Sequence, residues 1–411
     1  MLDKYLTIIL PILIGYLLGS FLPAYFITKW VRNIDIRMVG DGNPGTANVK
    51  RNVGTSAAIL TGFYDVTKGL LAMAIASTLF HSSLLFVNLS GLAAVCGHKF
   101  PFYLQFKGGR GIAAAVGIFL FTIARVSIIN FTFKDILVTS AYIVTYALCV
   151  HFATHNDDFF TVTMLSIIAA ILIFKVKFFG DLILLLALIS FIFIEAVRNL
   201  KNLKMFRLSS EELPLWRTFI RPAGMSFLFL YDVMGKSGLL ILIGSILAVS
   251  FLADIVRVSS ISLEDLFHKE FFKGFRVYKM KERGNISSIT TFLVGVFLTF
   301  LLYKENIAAA SLGFLVFGDM MAKIVGINYG KIKILRFKND KTLEGFLGFL
   351  SASFSVSYFL WLSKTLPIWL SIVGVLIASI VEVFPISVDG NISVPILSGA
   401  TMYLLSALPR L

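Results

Sequence analysis

The chain has 411 residues, 57% of them hydrophobic and only 15% charged, with a mean hydropathy of +0.87. Soluble domains are about 45–50% apolar and about 25% charged, so no water-soluble shape hides this much apolar surface and the implied solvent is lipid. The formal net charge is +14, but the basic residues sit in short loops between apolar runs. That pattern reports topology and contact with anionic headgroups or substrates rather than nucleic acid.

A span needs about 20 apolar residues, fewer where it is buried among other helices. Candidate spans are 5–27, 55–79, 84–97, 111–131, 136–152, 159–174 and 180–196, then 223–231, 237–253, 286–302, 307–318, 345–362, 365–384 and 392–408. The first is too long and too poorly flanked for a cleavable signal peptide. The expected fold class is therefore all-α: a polytopic integral membrane protein of about fourteen segments. A polar, basic stretch from Arg198 to Arg221 divides them seven and seven. This break predicts membrane domains over 1–200 and 223–411, joined by a basic linker over 201–222. Cys96 and Cys149 both lie in apolar runs and imply neither a disulfide nor a metal framework.

Basic residues in short loops orient the chain. The loops 28–54 and 98–110 are both basic and are separated by two spans, so both are expected on one side. That side is predicted to be the cytoplasmic face of a cell inner membrane, with the loops 198–222, 254–285, 319–344 and 385–391 on it as well.

The stretch "VGDGNPGTANVKRNVG" at 39–54 contains a G-x-G-x-x-G at Gly40, Gly42 and Gly45. A dinucleotide fingerprint needs a strand before the glycines, whereas a membrane-length apolar run precedes them here. The residues still suit an anion, since glycines let backbone N–H groups converge while Asn43, Asn48 and Arg51 add donors. An ordinary turn rich in loop formers is the competing reading. "FYDVTKG" puts Asp65 and Lys68 near the start of a span, where charges are costly unless paired or functional. "GHKFPFYLQFKGGRG" supplies a second glycine-rich basic loop carrying His98, Lys107, Gly108, Gly109 and Arg110. It runs into a helix beginning near Gly111, and a helix N-terminus beside cations favours anions.

These blocks, with "GSFLPAYFITKW", resemble the signature blocks of the bacterial acyl-phosphate-dependent glycerol-3-phosphate acyltransferases over residues 10–200. The resemblance implies seven spans, no cofactor, and transfer of an acyl group from acyl phosphate to glycerol-3-phosphate, giving lysophosphatidate in phospholipid synthesis. It implies catalytic roles for His98 and Arg51. Phosphate or substrate binding would fall to Asp41, Gly42, Asn43, Gly45, Asn48, Lys68, Lys107, Gly108, Gly109, Arg110 and Asn199. Asp41 stands where that family has a phosphate-binding Ser, Arg110 where it has Lys, and the Thr46–Ala47 order is reversed. Such departures also admit a catalytically lapsed half that only binds lipid.

Further on, "ADIVRV" closes a span, and "FRVYKMKERGN" reads on its own as a membrane-surface helix. "FGDMMAKIVGINYGK" puts Asp319 at the mouth of a span, and "KTLEG" and "VEVFPISVDGNISVP" add carboxylates beside lysines. Such groups suit Mg²⁺ and a nucleoside triphosphate; helix caps and loop ion pairs are the alternative. The blocks resemble the CTP-dependent lipid kinases, relatives of the phosphatidate cytidylyltransferases. The resemblance implies Mg²⁺ and CTP as cofactors and a lipid acceptor such as diacylglycerol or a polyprenol. Its nucleotide and lipid site would comprise Asp254, Arg257, Glu282, Lys331, Lys341, Thr342, Glu344 and Asn391, with Asp319, Glu382 and Asp389 as metal ligands and Asp319 also catalytic. A transporter of anionic lipid is the rival class, and it requires ionisable residues deep within several spans.

Overall fold

The computed structural model describes residues 2–202, 224–259, 285–334, 341–384 and 388–408, with side chains from residue 8 to residue 198 in the first stretch. Glu282, the side chain of Asn199 and all but the first two residues of the expected linker lie outside the described residues. What is described is helical, apart from loops and an isolated bridge between Lys333 and Thr342. The protein is an all-α integral membrane protein. Among the described residues nine helices are long and apolar enough to cross a bilayer, and Ser288–Leu302 and Ile368–Val383 are shorter apolar helices. Large side chains such as Phe63, Ile128, Phe133 and Ile241 are exposed, as a lipid-facing surface requires.

The chain divides into two compact units, residues 1–136 with 161–199, and residues 137–160 with 200–411. In the first, α1 (Leu2–Ser20) and α2 (Pro23–Arg32) are separated by a two-residue break. After the loop come α3 (Thr46–Asn52), α4 (Thr55–Thr78), α5 (Leu84–Lys99) and α6 (Ile112–Asn130). Next are α7 (Phe133–Thr154), α8 (Asp157–Lys175) and α9 (Phe179–Asn202). Lipid tails are as apolar as leucine, so helices in a bilayer associate through close packing of small residues rather than through hydrophobic exclusion from water. Helix α1 meets this need with Gly15 and Gly19, four apart on one face and pressed against the backbone of Ser90 and Ala94 on α5; Gly97 returns the contact against Tyr16. The apolar core of this unit is built on Ile118, Leu184, Leu185 and Leu188. It leaves α4 and α5 to carry the charged residues described below.

The second unit begins, in chain order, with most of α7. There Tyr142 stacks on Tyr358 with ring centroids 4.3 Å apart, and its hydroxyl donates to Ser355 at 2.9 Å. It continues through α10 (Ser226–Ser259), α11 (Ser288–Leu302), α12 (Glu305–Gly313) and a π-helical turn (Phe314–Gly318). α13 (Asp319–Tyr329), α14 (Leu343–Leu362), α15 (Ile368–Val383) and α16 (Gly390–Ala407) complete it.

The expected break between segments 223–231 and 237–253 is present, because the backbone at Gly235, with φ +67°, is non-helical and divides Ser226–Ser259 into two helices. One boundary differs from the sequence reading. The expected span 307–318 does not end before Asp319, because the π turn carries the helix on to Tyr329. Asp319 therefore sits inside a span and not at its mouth. Likewise Asp65 and Lys68 lie midway along α4 rather than near its start.

A side chain at Gly19 would place its Cβ 2.0 Å from the Ala94 carbonyl oxygen. Gly19→Val is expected to cost at least about 1–3 kcal/mol through overpacking and to lower the melting temperature in detergent. Gly180→Ala, where an added Cβ meets nothing within 4 Å, should leave it unchanged.

Candidate functional site

The site of the first unit starts from a charge with nowhere to go. Lys68 is fully buried on α4, and a buried ammonium must have its three hydrogens accepted. It donates to Asp65 one turn away at 2.9 Å and to the backbone carbonyl of Gly19, at the end of α1, at 3.1 Å. Its third contact is Nδ1 of His98, near the end of α5, at 2.5 Å. Asp65 and His98 are buried as well, 3.3 Å apart. One ammonium thus joins three helices. The same Nδ1 lies 3.3 Å from the Asp65 carboxylate, so this nitrogen is turned to the buried pair and Nε2 points away from it.

The chain beyond His98 folds back over it. Gly109 N–H donates to the His98 carbonyl and Gly108 N–H to that of Lys99, each at 3.1 Å. A Cβ at Gly109 would lie 2.3 Å from His98 Nε2, so only glycine lets this turn pass so close to the ring. The Nε2 side of the imidazole consequently faces the Gly108–Gly109 turn. Lys107 and Arg110, on either side of the glycines, are exposed.

The other loop is tied to this one at two points. Asn43 Oδ1 accepts from the backbone N–H of Arg110 at 3.1 Å. The Arg37 guanidinium donates to the carbonyls of Leu104 at 3.3 Å and Lys107 at 3.4 Å. Asp35 aims that guanidinium, accepting from it at 2.7 Å, and the bonds from Arg37 hold the Asp35 carboxyl below its usual range. The loops 28–54 and 98–110 therefore lie together on one side of the unit, as the distribution of basic residues predicts.

Within the first loop, Asn48 is buried and gives its amide to the carbonyls of Ile36 at 3.1 Å and Val39 at 2.9 Å. It holds the loop, and its donors are spent there. Gly40, at φ +64°, passes so close that a Cβ would meet Asn48 Oδ1 at 2.1 Å. Gly42, at φ +69°, turns the chain toward Asn43, and Gly45 opens α3. Arg51 and Asp41 form an exposed ion pair at 2.8 Å, while Asp41 Oδ1 accepts from the Asn43 N–H at 3.2 Å.

Sequence reasoning passed over Arg37 and Asp35. It also passed over Glu195, which accepts from Lys99 and Arg198 at 3.0 Å each. The signal for Glu195 was a lone carboxylate closing an apolar run with an arginine three residues on. For Asp35 and Arg37, an acid and a base two apart, the sequence carries no clear signal.

The second unit gathers most of its expected residues into two groups of contacts. Asp254 and Arg257, buried at the end of α10, meet the start of α11: Asp254 accepts from Ser287 N–H at 2.9 Å and from Thr290 at 2.7 Å, and Arg257 donates to the Asn285 carbonyl. Thr291, on the same helix, donates to Asp389 and accepts from Asn391, both at 3.1 Å. Glu382 pairs with Lys341, and a side chain at Gly390 would bring its Cβ to 3.6 Å from the Glu382 carboxylate. Thr342 caps α14, and Glu344 beside it accepts from the backbone N–H of Ile332, the residue after Lys331. Asp319 pairs with Lys323.

The three carboxylates expected to bind a metal thus have separate partners, a lysine each for Asp319 and Glu382 and a helix cap for Asp389. Among the described residues no group of three or more His, Cys, Asp or Glu is gathered for a metal ion. The donor set for Mg²⁺ is not assembled by these residues.

Residues 9–205 match the family model described as glycerol-3-phosphate acyltransferase. The glycerol-3-phosphate acyltransferase of Thermoanaerobacter sp. (strain X514) is 44% identical over 110 residues, 27% of this chain and 54% of that protein. That of Parasynechococcus marenigrum (strain WH8102) is 45% identical over 115 residues, 28% of this chain and 54% of that protein. The chain thus spans about half the length of these curated relatives. A crystal structure of PlsY (YgiH), an integral membrane glycerol 3-phosphate acyltransferase in its glycerol 3-phosphate form, aligns at 25% identity and a TM-score of 0.38. The alignment covers 48% of this chain and 92% of that one.

Removing the Lys68 charge leaves Asp65 buried and uncompensated, which costs about 3–5 kcal/mol. Lys68→Met is therefore expected to lower the melting temperature in detergent sharply. Adding Asp65→Asn to Lys68→Met should restore much of the loss.

Proposed function

We propose that the first unit transfers an acyl group from acyl phosphate to a hydroxyl of glycerol-3-phosphate, releasing inorganic phosphate and lysophosphatidate at a cytoplasmic membrane face. The observation that carries this reading is the union of two glycine-and-cation turns, joined through Asn43 and the Arg110 N–H above a histidine whose Nε2 faces them. Both substrates are phosphate-bearing anions. Arg51, Lys107 and Arg110 are exposed around the turns, where guanidinium and ammonium groups grip phosphate oxygens.

Acyl phosphate is already activated, so positioning and charge stabilisation suffice, and no serine or cysteine nucleophile is needed. The acceptor oxygen attacks the acyl carbonyl carbon, and the bond from that carbon to the phosphate oxygen breaks, with the electron pair leaving on phosphate. Nδ1 of His98 is engaged by Lys68, so His98 meets the substrates through Nε2. The acceptor proton passes to a phosphate oxygen. Purified protein supplied with acyl phosphate and labelled glycerol-3-phosphate is expected to form labelled lysophosphatidate, and His98→Ala and Arg51→Ala to lower the rate at least about 100-fold. Wild-type product no greater than that of Arg51→Ala would defeat the reading.

For the second unit we propose phosphorylation of a lipid hydroxyl by CTP, at the helix ends that carry two groups of contacts, Asp254, Arg257, Asp389 and Asn391 in one and Lys341 with Glu382 in the other. Lys341, paired with Glu382 at the rim of these ends, is the residue placed to meet a nucleotide phosphate. Loss of CTP-dependent phosphorylation of diacylglycerol or a polyprenol in Lys341→Ala, measured on protein still folded at the assay temperature, is the expected outcome. Undiminished phosphorylation there would refute the assignment.

A further inference from the structure

Asp41 is the one acidic side chain in the glycine turn 39–45, and its contacts are those an anion would make. One carboxylate oxygen takes the Arg51 guanidinium at 2.8 Å and the other takes the Asn43 backbone N–H at 3.2 Å. A cation with a converging backbone N–H is the donor set that grips phosphate. Both side chains are substantially exposed, Arg51 at 58% and Asp41 at 37%, so the pair is open to a solute from water. Neither is pinned as Asn48 is.

We propose that Asp41 is a built-in occupant of the anion site, an internal carboxylate that incoming phosphate must displace from Arg51 and from the Asn43 N–H. It deepens the acyltransferase reading and rests on it, because it assigns Asp41 to specificity at that same site. The exchange favours a phosphate dianion, which brings more charge and three acceptor oxygens. A monocarboxylate offers no more than Asp41 already supplies and is disfavoured. Asp41 therefore sets a threshold that the extra charge of a phosphate-bearing acceptor offsets and a single carboxylate does not. An exposed ion pair is worth at most about 1 kcal/mol, so the threshold corresponds to about fivefold in affinity.

The test is binding of glycerol-3-phosphate, inorganic phosphate and glycerate to the full chain in detergent, followed by calorimetry. The proteins are the wild type, Asp41→Asn, Arg51→Ala and the double variant, each checked by melting temperature. Asp41→Asn keeps an acceptor for the Asn43 N–H and removes the charge. It is expected to tighten both phosphate ligands about fivefold and to admit glycerate. The gain should vanish in the Arg51→Ala background, since the competition is for that guanidinium.

Unchanged or weaker phosphate binding by Asp41→Asn overturns the proposal, as does a gain that persists in full without Arg51, which would mark general repulsion in place of competition. Absence of phosphate binding by every variant overturns it too. The readout is affinity and not turnover, so failure of the acyltransferase reading would show separately, as no lysophosphatidate from any variant while the binding cycle still reports on Asp41.

Discussion

A lysine buried among apolar helices has to find an acceptor for each of its three hydrogens, and the arrangement of the first unit follows from how Lys68 does so. Its acceptors come from three different helices: the carboxylate of Asp65, the Gly19 carbonyl and the His98 ring. The Gly19 carbonyl is within reach because the glycines of α1 allow it to press against α5. His98 is within reach because it closes that same helix. The ammonium, the small-residue packing and the turn over His98 are thus mutually dependent, and loss of any one leaves the others without a partner.

On this frame the two loops do different work with similar residues. Asn48 and Arg37 spend their donors on backbone carbonyls and make the cradle rigid. Lys107, Arg110 and Arg51 remain at the surface, where charge meets an anion at little desolvation cost. A polar residue type in a glycine-rich loop therefore says little about its role until its partners are known. Asn43 and Asn48, five residues apart, show this: one joins the two loops and the other fixes only its own.

The second unit obeys the same constraint with a different result. Buried Asp254 accepts from Ser287 and Thr290 at the start of α11, while buried Arg257 pairs with Asp254 and donates to the Asn285 carbonyl. Carboxylates that look like a metal set in sequence are divided among a lysine, a second lysine and a helix cap. Asp319 is met by Lys323, Glu382 by Lys341 and Asp389 by the Asn391 N–H.

Hydropathy and length alone placed several of the spans to within a few residues: 111–131 against Ile112–Asn130, and 345–362 against Leu343–Leu362. They succeeded because a bilayer forces every backbone polar group into a helix of set length, a one-dimensional condition that sequence displays directly. The shared side of the two basic loops was legible for the same reason. What tertiary structure alone decided was partnership. Asp65 and Lys68 are three apart and visibly on one helix face, but His98, thirty residues further on, joins them only through the packing of α4 against α5. Glu195 finds Lys99 across ninety-six residues, and the π turn that carries Asp319 into a span has no mark in the hydropathy profile. Contacts between distant helices depend on which small residues let backbones approach, and that is a property of two surfaces together, written in neither segment by itself.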